Sequence, residues 1–367
     1  MNFLILFRLM NLFFFIKSEL KRKRTKSYKN IQKLLKKQKA DELLEQYTRK
    51  YGTLPSKLES ATNEVYRLDC DAVPCILKKF LNDDFEEENK IALAIKFPRI
   101  YGFGEDYRLE KYVDHKQVDY QTDSGKIARA ILSFHSTKLD GIKQFIPYYD
   151  TLLNKQLQTQ IEYLDQLKCS AEKNLLNLSF DLSNLQKIFT SVHQKFINLI
   201  NEHGLVFDKL CHNDLNHGNI LKIKNNVVFI DFEFACISDP LLDIARFFYC
   251  TKYYYFYNHP ENCSGLWNNE KKISFLKFYY ENRSKIFLKN VLVKIESVEV
   301  ITNYFNFLLC LKWLRQGNLE KANRRFRSLE GHLSKIKESK IINESEALII
   351  NQYIEFLKIS INGCKNK

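Results

Sequence analysis

Cys211-His212-Asn213-Asp214-Leu215-Asn216-His217-Gly218-Asn219, followed by Ile230-Asp231-Phe232-Glu233, is the stretch that decides the fold. It reads as H-x-D-x-x-x-x-N and then, after a short apolar run, I-D-F. A carboxylate, an amide five positions later and a second carboxylate twelve beyond that suit magnesium-dependent phosphoryl transfer. The first carboxylate, Asp214, can accept the proton of a substrate hydroxyl. The oxygens of Asn219 and Asp231 can hold metal ions that bridge nucleotide phosphates. Magnesium suits such a site because it takes few hard oxygen ligands from protein and the rest from phosphate and water.

The flanks carry the same reading. Leu205-Val206-Phe207 has strand character ahead of the motif. Val227-Val228-Phe229-Ile230 is a β-branched and aromatic run ending on Asp231, after the turn signal Asn225-Asn226. A hairpin there would return Asp231 towards Asn219. Taken singly, Asp214 and Asn219 would be ordinary turn residues. The strand-borne Asp231 in step with both argues against that.

The chain of 367 residues is long enough for two lobes, each with a core, and its 45% hydrophobic content is that of a globular protein. Nine cysteines lie scattered with no C-x-x-C pair, which argues for reduced thiols in a cytosolic protein rather than a disulfide framework or a zinc site. Cys211 reads as a buried structural thiol. The net charge of +14 is concentrated: residues 1–50 hold fourteen Lys/Arg against four acids, leaving +4 for the rest. The body therefore gives no case for nucleic-acid binding. Residues 1–16 are mostly apolar, interrupted by Arg8 and Asn11, and too short for a transmembrane span. Three readings stay open for this segment: a weak membrane-surface anchor backed by its basic cluster, a disordered tail, or an over-called start ahead of Met10.

Beyond the basic tail, Asn63–Leu68 and Pro74–Phe80 read as paired strands, Phe85–Lys96 as a helix and Tyr107–Val113 as a further strand. From Ser124, with a helix ending near His135, the chain turns mainly helical. These lengths predict an α+β protein with residues 1–50 as tail, 51–113 as a small β-rich lobe and 114–367 as a large helical lobe.

The motifs resemble the choline/ethanolamine kinase branch of the aminoglycoside-phosphotransferase-like, protein-kinase-like fold. The match runs through Leu210-Cys-His-Asn-Asp-Leu215, Gly218-Asn-Ile-Leu221, Ile230-Asp-Phe-Glu-Phe-Ala235 and Asp243-Ile244-Ala245. Upstream, Pro98-Arg-Ile-Tyr-Gly102, Arg108-Leu-Glu-Lys-Tyr-Val113, and Ile127-Ala128 with Phe134-His135 continue it. The resemblance covers about residues 55–320. It implies a bilobal kinase in which ATP and Mg2+ serve phosphorylation of choline or ethanolamine, a step in phospholipid precursor synthesis. Asp214 is then the base or hydroxyl-orienting residue, and Asn219 and Asp231 are the metal ligands. Lys78 meets the nucleotide phosphates and Glu88 fixes it, with Lys79 as the neighbouring alternative. Thr62 and Asn63 end the phosphate turn, and the backbone at Tyr112 and Val113 forms the adenine hinge. His212 is structural.

Two departures stand out. The phosphate turn, Glu59-Ser-Ala-Thr-Asn63, lacks the family's glycines, and Asp243-Ile-Ala-Arg246 stands where the eukaryotic members more often have D-I-G-N; preceded by Asp239-Pro240, it resembles the bacterial-type members more closely. For the amino alcohol, Trp313 offers an aromatic face and Glu233 an acid, with Tyr249 and Tyr253–Tyr255 as further aromatics. The competing readings are the same transfer to thiamine, an aminoglycoside or a sugar, and a non-catalytic membrane-associated binding protein that keeps the fold. A protein kinase is disfavoured: there is no G-x-G-x-x-G, no D-F-G and no A-P-E.

Overall fold

The computed structural model describes residues 31, 35, 37, 39–58, 60, 63–70, 73–81, 85–172, 181–258, 266–281, 283–315 and 319–363. The chain divides into two units. The first takes residues up to Lys116 with Lys222–Asn225 and Ile230–Glu233; the second takes the remainder.

The first unit opens with helix α1, Ala40–Tyr51. Asp41 and Glu42 lie in its first turn and Arg49 and Lys50 in its last, each charge complementing the helix dipole. Gly52 ends it at φ 66, a left-handed position that costs glycine nothing, and its N–H donates to Thr48 O. Leu43 and Tyr47, one turn apart, point the same way and are buried. The expected boundary at residue 50 therefore cuts through a folded helix. The basic run ahead of it, Lys33 to Lys39, masked a narrow apolar stripe. Residues 1–30, with the apolar start, lie outside the described part.

Behind α1 stands a five-stranded antiparallel sheet in the order β1-β2-β3-β5-β4. Its strands are β1 (Ser56–Leu58), β2 (Glu64–Cys70), β3 (Val73–Lys79), β4 (Ile100–Phe103) and β5 (Tyr107–Lys111). Helix α2, Phe85–Ile95, joins β3 to β4. Strand alternation gives the sheet two unlike faces. Cys75 and Leu77 of β3, Tyr107 and Leu109 of β5 and Leu68 of β2 join Leu43 and Tyr47 in one apolar cluster. Burying Leu43 or Tyr47 contributes about 2 kcal/mol each. The alternate residues Lys78, Arg108 and Glu110 carry charge, and Lys78 is paired in register with Arg108.

In the second unit, α3 is Ser124–His135, α4 Tyr149–Glu172 and α5 Leu182–Glu202, with strand β6 (Lys116–Gln117) preceding them in the chain. Next come β7 (Lys209–Cys211), β8 (Ile220–Ile223), β9 (Asn226–Phe229) and β10 (Cys236–Ser238). Helices α6 (Pro240–Asn258), α7 (Asn269–Tyr279), α8 (Lys285–Arg315), α9 (Leu319–Glu338) and α10 (Glu344–Gly363) complete the order. Helix α8 is buried on every side from Ile301 to Leu311 and packs against α4, α6, α7 and α9. A helix apolar all round belongs in the centre of a helical body.

The strand expected at 205–207 is not there. Val206 is exposed, and its backbone N–H donates to Asp239 Oδ2 at 2.8 Å, so that backbone is spent on a side chain; β7 begins at Lys209. The expected hairpin does form. Asn219 sits immediately before β8, and Asp231 falls two residues after β9.

Candidate active site

In the first unit the charged face of the sheet builds one cluster. Lys78 Nζ lies 2.8 Å from both oxygens of Glu88 and 2.6 Å from Asp231 Oδ1. Glu88 also accepts from Arg108 Nη2 at 2.8 Å, and Arg108 Nε donates to Glu110 Oε2 at 2.9 Å. Lys78, Glu88 and Arg108 are all buried. Burial on its own would lower the Lys78 pKa. Asp231 and then Glu88 outweigh it and hold the ammonium above its ordinary value. Burial raises the Glu110 carboxyl, against the pull of Arg108 and Lys78. Buried charges persist only when paired, and here two cations meet three carboxylates.

The two neighbouring lysines have different partners. Lys79 points the other way, to Asp41 Oδ1 at 2.7 Å and Glu64 Oε2 at 3.4 Å. Asp231 adopts φ 66, a left-handed conformation rare outside glycine and Asn/Asp. Glu233, two residues on, accepts from Asn63 Nδ2 at 3.5 Å, and its charge acts on Lys78. Thr62, Glu59 and Ala61 lie outside the described residues. The Tyr112 N–H donates to Pro74 O at 3.1 Å, prolonging the β3–β5 ladder, and its ring lies 4.5 Å from the Arg67 guanidinium. The Val113 carbonyl meets His115 Nδ1 at 2.9 Å.

The second unit holds the H-x-D loop. Strand β7 delivers it, and Asn213 turns the chain at φ 55. The Asn213 side chain locks this turn: its Nδ2 reaches the carbonyls of Cys211 and Phe234, each at 3.3 Å. The loop backbone hangs on Asp243, whose carboxylate accepts from the N–H groups of His212 at 2.8 Å and Asn213 at 2.9 Å. His135 Nε2 contacts the same carboxylate at 3.0 Å, and His135 Nδ1 lies 2.7 Å from the Tyr279 hydroxyl. Burial would raise the Asp243 pKa, but the hydrogen bond and charge of His135 hold it below the ordinary range. His135, Cys211 and Asp243 bring possible metal-ligand atoms within 4.8 Å of one another. The hydrogen bonds of His135 and Asp243 already give those groups a structural task.

Asp243 stands in the first turn of α6. Pro240 opens that helix, and Asp239 accepts the Leu241 N–H at 2.7 Å. A capping carboxylate followed by Pro at the first position is a strong helix start.

Asp214 is held from several sides. Its Oδ2 accepts from Asn216 Nδ2 and Asn219 Nδ2, each at 2.9 Å, and its Oδ1 accepts from Arg246 Nη2 at 2.8 Å. Asn219 Nδ2 also reaches the Asp214 carbonyl at 2.9 Å, which turns the amide oxygen of Asn219 away from this bond and leaves it as a hard donor. Burial would lower the Arg246 pKa; the Asp214 carboxylate reverses that, and the guanidinium stays cationic. His212 is buried, its ring packed on Phe134 and Phe229 at 5.7 and 5.9 Å.

Of the residues expected at the site, Lys78, Glu88, Asp231, Asn63 and Glu233 share the first unit, and Asp214, Asn219 and Trp313 belong to the second. Trp313 is half-buried near the end of α8. Tyr249 meets His332 Nδ1 at 3.0 Å, and the side chains of Tyr253–Tyr255 lie outside the description. Sequence reasoning gave no role to Arg246, Asp243, His135 or Asn216. Asp243 and His135 were visible only as motif matches, and the meaning of the unusual Arg after D-I-A lies in a partner 32 residues away.

Comparison with known proteins follows the same lines. The model of the family described as choline/ethanolamine kinase matches residues 77–348. An ethanolamine kinase of Saccharomyces cerevisiae is 26% identical over 239 residues, covering 53% of this chain and 44% of its own length. A human choline/ethanolamine kinase is 25% identical over 177 residues, covering 45% and 40%. The matches thus span less than half the length of these curated relatives. Among solved structures, the Plasmodium vivax ethanolamine kinase superposes with a TM-score of 0.59 at 17% identity, over 76% of this chain and 81% of that one. At that identity the likeness speaks to the fold, which is α+β and protein-kinase-like.

Proposed function

The chain belongs to the choline/ethanolamine kinase family, and on that premise we propose that it transfers the γ-phosphoryl group of ATP to the hydroxyl of choline or ethanolamine. The observation that carries this reading is Asp214, the H-x-D carboxylate fixed by Asn216, Asn219 and Arg246, which we take as the catalytic carboxylate.

The residues present fit a magnesium ion. Asn219 keeps its amide oxygen out of its bonds to Asp214, and Asp231 is a carboxylate in a left-handed turn. Both are hard oxygen donors of the kind Mg2+ prefers. Bound there, the ion would neutralise charge on the phosphates. In this proposal Lys78, fixed by Glu88, binds the phosphates through its ammonium. Asn63 supports the phosphate turn. The Tyr112 N–H is committed to Pro74, so the adenine contact falls on the backbone at Val113. Asp214 orients the substrate hydroxyl in line with the γ-phosphorus and takes its proton as the new bond forms. A loose transition state asks more for position than for a strong base. Glu233 and Trp313 are the proposed contacts of the substrate cation: an acid for its charge and a ring face for a quaternary ammonium that offers no N–H.

The test is ADP release with Mg–ATP against choline, ethanolamine, thiamine, a sugar and an aminoglycoside. Stimulation by choline or ethanolamine supports the proposal. Stimulation by another alcohol alone keeps the transfer and discards the pocket. Silence with all, together with no nucleotide binding, leaves a non-catalytic member of the fold.

A further inference from the structure

We propose that Arg246 is the positioning residue of Asp214. The inference rests on the phosphotransfer reading above. Arg246 is 4% exposed, and its Nη2 donates to Asp214 Oδ1 at 2.8 Å. Its guanidinium lies 5.2 Å from the centre of the Phe305 ring, which packs beneath it as a cation–π platform. Among the described residues its Nε and Nη1 have no hydrogen-bond partner.

A buried guanidinium placed to brace the fold would be expected to spend its five N–H donors on several acceptors. Here Nε and Nη1 find no acceptor, and the carboxylate that Arg246 meets is Asp214, with the Cys250 thiol as a further neighbour. The unusual economy points to Asp214 as the reason Arg246 is there.

The geometry says what it does. Two amides, from Asn216 and Asn219, hold Oδ2, and Arg246 holds Oδ1. With both oxygens anchored, the carboxylate cannot rotate about its Cβ–Cγ bond. A carboxylate offers about four acceptor sites. The described contacts use two on Oδ2 and one on Oδ1, so the substrate hydroxyl is directed to the remaining site on Oδ1, beside the guanidinium. Gln is neutral, and Lys supplies charge without the planar guanidinium.

The experiment compares wild type, Arg246→Lys, Arg246→Gln and Arg246→Ala in the full chain. It measures kcat and KM for ATP by ADP release with choline or ethanolamine, and slow ATP hydrolysis with water as acceptor. Melting temperatures are taken alongside. The expected result is a kcat loss of about 10²-fold in Arg246→Ala with KM for ATP unchanged, since misplacing a reacting group by an ångström costs that much. Guanidinium chloride, at millimolar levels well below those that unfold the protein, should restore part of the lost kcat to Arg246→Ala, and ethylammonium should not. Removing Arg246 from Asp214→Asn should cost nothing further. Wild-type kcat in Arg246→Ala overturns the proposal, as does an additive loss on Asp214→Asn. If Arg246→Ala does not fold, Arg246→Gln carries the comparison, and undiminished kcat there overturns the proposal equally. If wild type answers to neither amino alcohol, the substrate reading fails by itself, and the hydrolysis rates still decide the role of Arg246.

Discussion

Lys78 Nζ stands 2.6 Å from Asp231 Oδ1 and 2.8 Å from both oxygens of Glu88, so one buried ammonium ties the β3 strand to the I-D-F segment. The proposed phosphate contact and the proposed metal ligand thus share a charge balance. Changing either disturbs the other.

Lys78→Met removes the cation and leaves Glu88 and Asp231 facing each other with Arg108 as the remaining charge partner. Breaking a buried pair from one side costs about 3–5 kcal/mol. Urea denaturation should register a loss of that order, and Mg–ATP binding should weaken with it. A variant as stable as wild type would show that the pairing has little weight.

Asp231→Ala acts on the opposite side of the same pair. Magnesium-dependent nucleotide binding should disappear, while Lys78 keeps Glu88. Calorimetric titration with Mg–ATP and with ATP in EDTA separates the two effects. Equal affinities for wild type and variant in magnesium would remove Asp231 from the metal site.

Asp214→Asn should bind Mg–ATP as wild type does and lose turnover by about 10³-fold, within the range for removal of a positioned acid–base group. Near-normal turnover would take the role away from Asp214.

His332 gives a pH signature. Burial, with Arg246 repulsion added, holds its pKa down to about 3 from an ordinary 6.5. The unfolded chain takes up a proton below about 6.5, and the folded chain does not until about 3. Stability is therefore lost as pH falls through that window, by about 1.4 kcal/mol at pH 5.5 from this group. His332→Asn should flatten the dependence between pH 7.5 and 5.5 by that amount. Parallel curves for the two proteins would mean that His332 does not set it.

Helix α1 supplies a stability test away from the site. Leu43→Ala should cost about 2–5 kcal/mol because it opens a cavity against the sheet. Leu54→Ala, at a side chain 81% exposed, should stay within about 0.5 kcal/mol. Similar small effects would detach α1 from the core.

Much of the site was legible because it is local. The Asp214–Asn219 spacing, the hairpin after it and the strand carrying Lys78 are written in neighbouring residues, and strand alternation separates Lys78 from Lys79. The helix at 40–51 was less visible because the basic run ahead of it, Lys33 to Lys39, drew the Leu43–Tyr47 stripe into the reading of a tail. Its Gly52 stop and its ordered end charges were readable in retrospect. Leu205-Val206-Phe207 has strand composition, yet composition cannot show that Asp239 takes the Val206 amide. The bond from Arg246 to Asp214 and the suspension of the loop from Asp243 depend on residues about thirty positions apart. No periodicity reports such pairs.

Asp243 and Arg246 sit one turn apart on α6, the first gripping the backbone of the H-x-D loop and the second the side chain at its tip. Loop and helix are consequently geared together: a small roll of α6 shifts the attacking geometry and its support in the same stroke. Substitutions deep in α6, remote from any substrate, should register as changes in rate, and amide exchange should report the loop and the helix start opening as one cooperative piece.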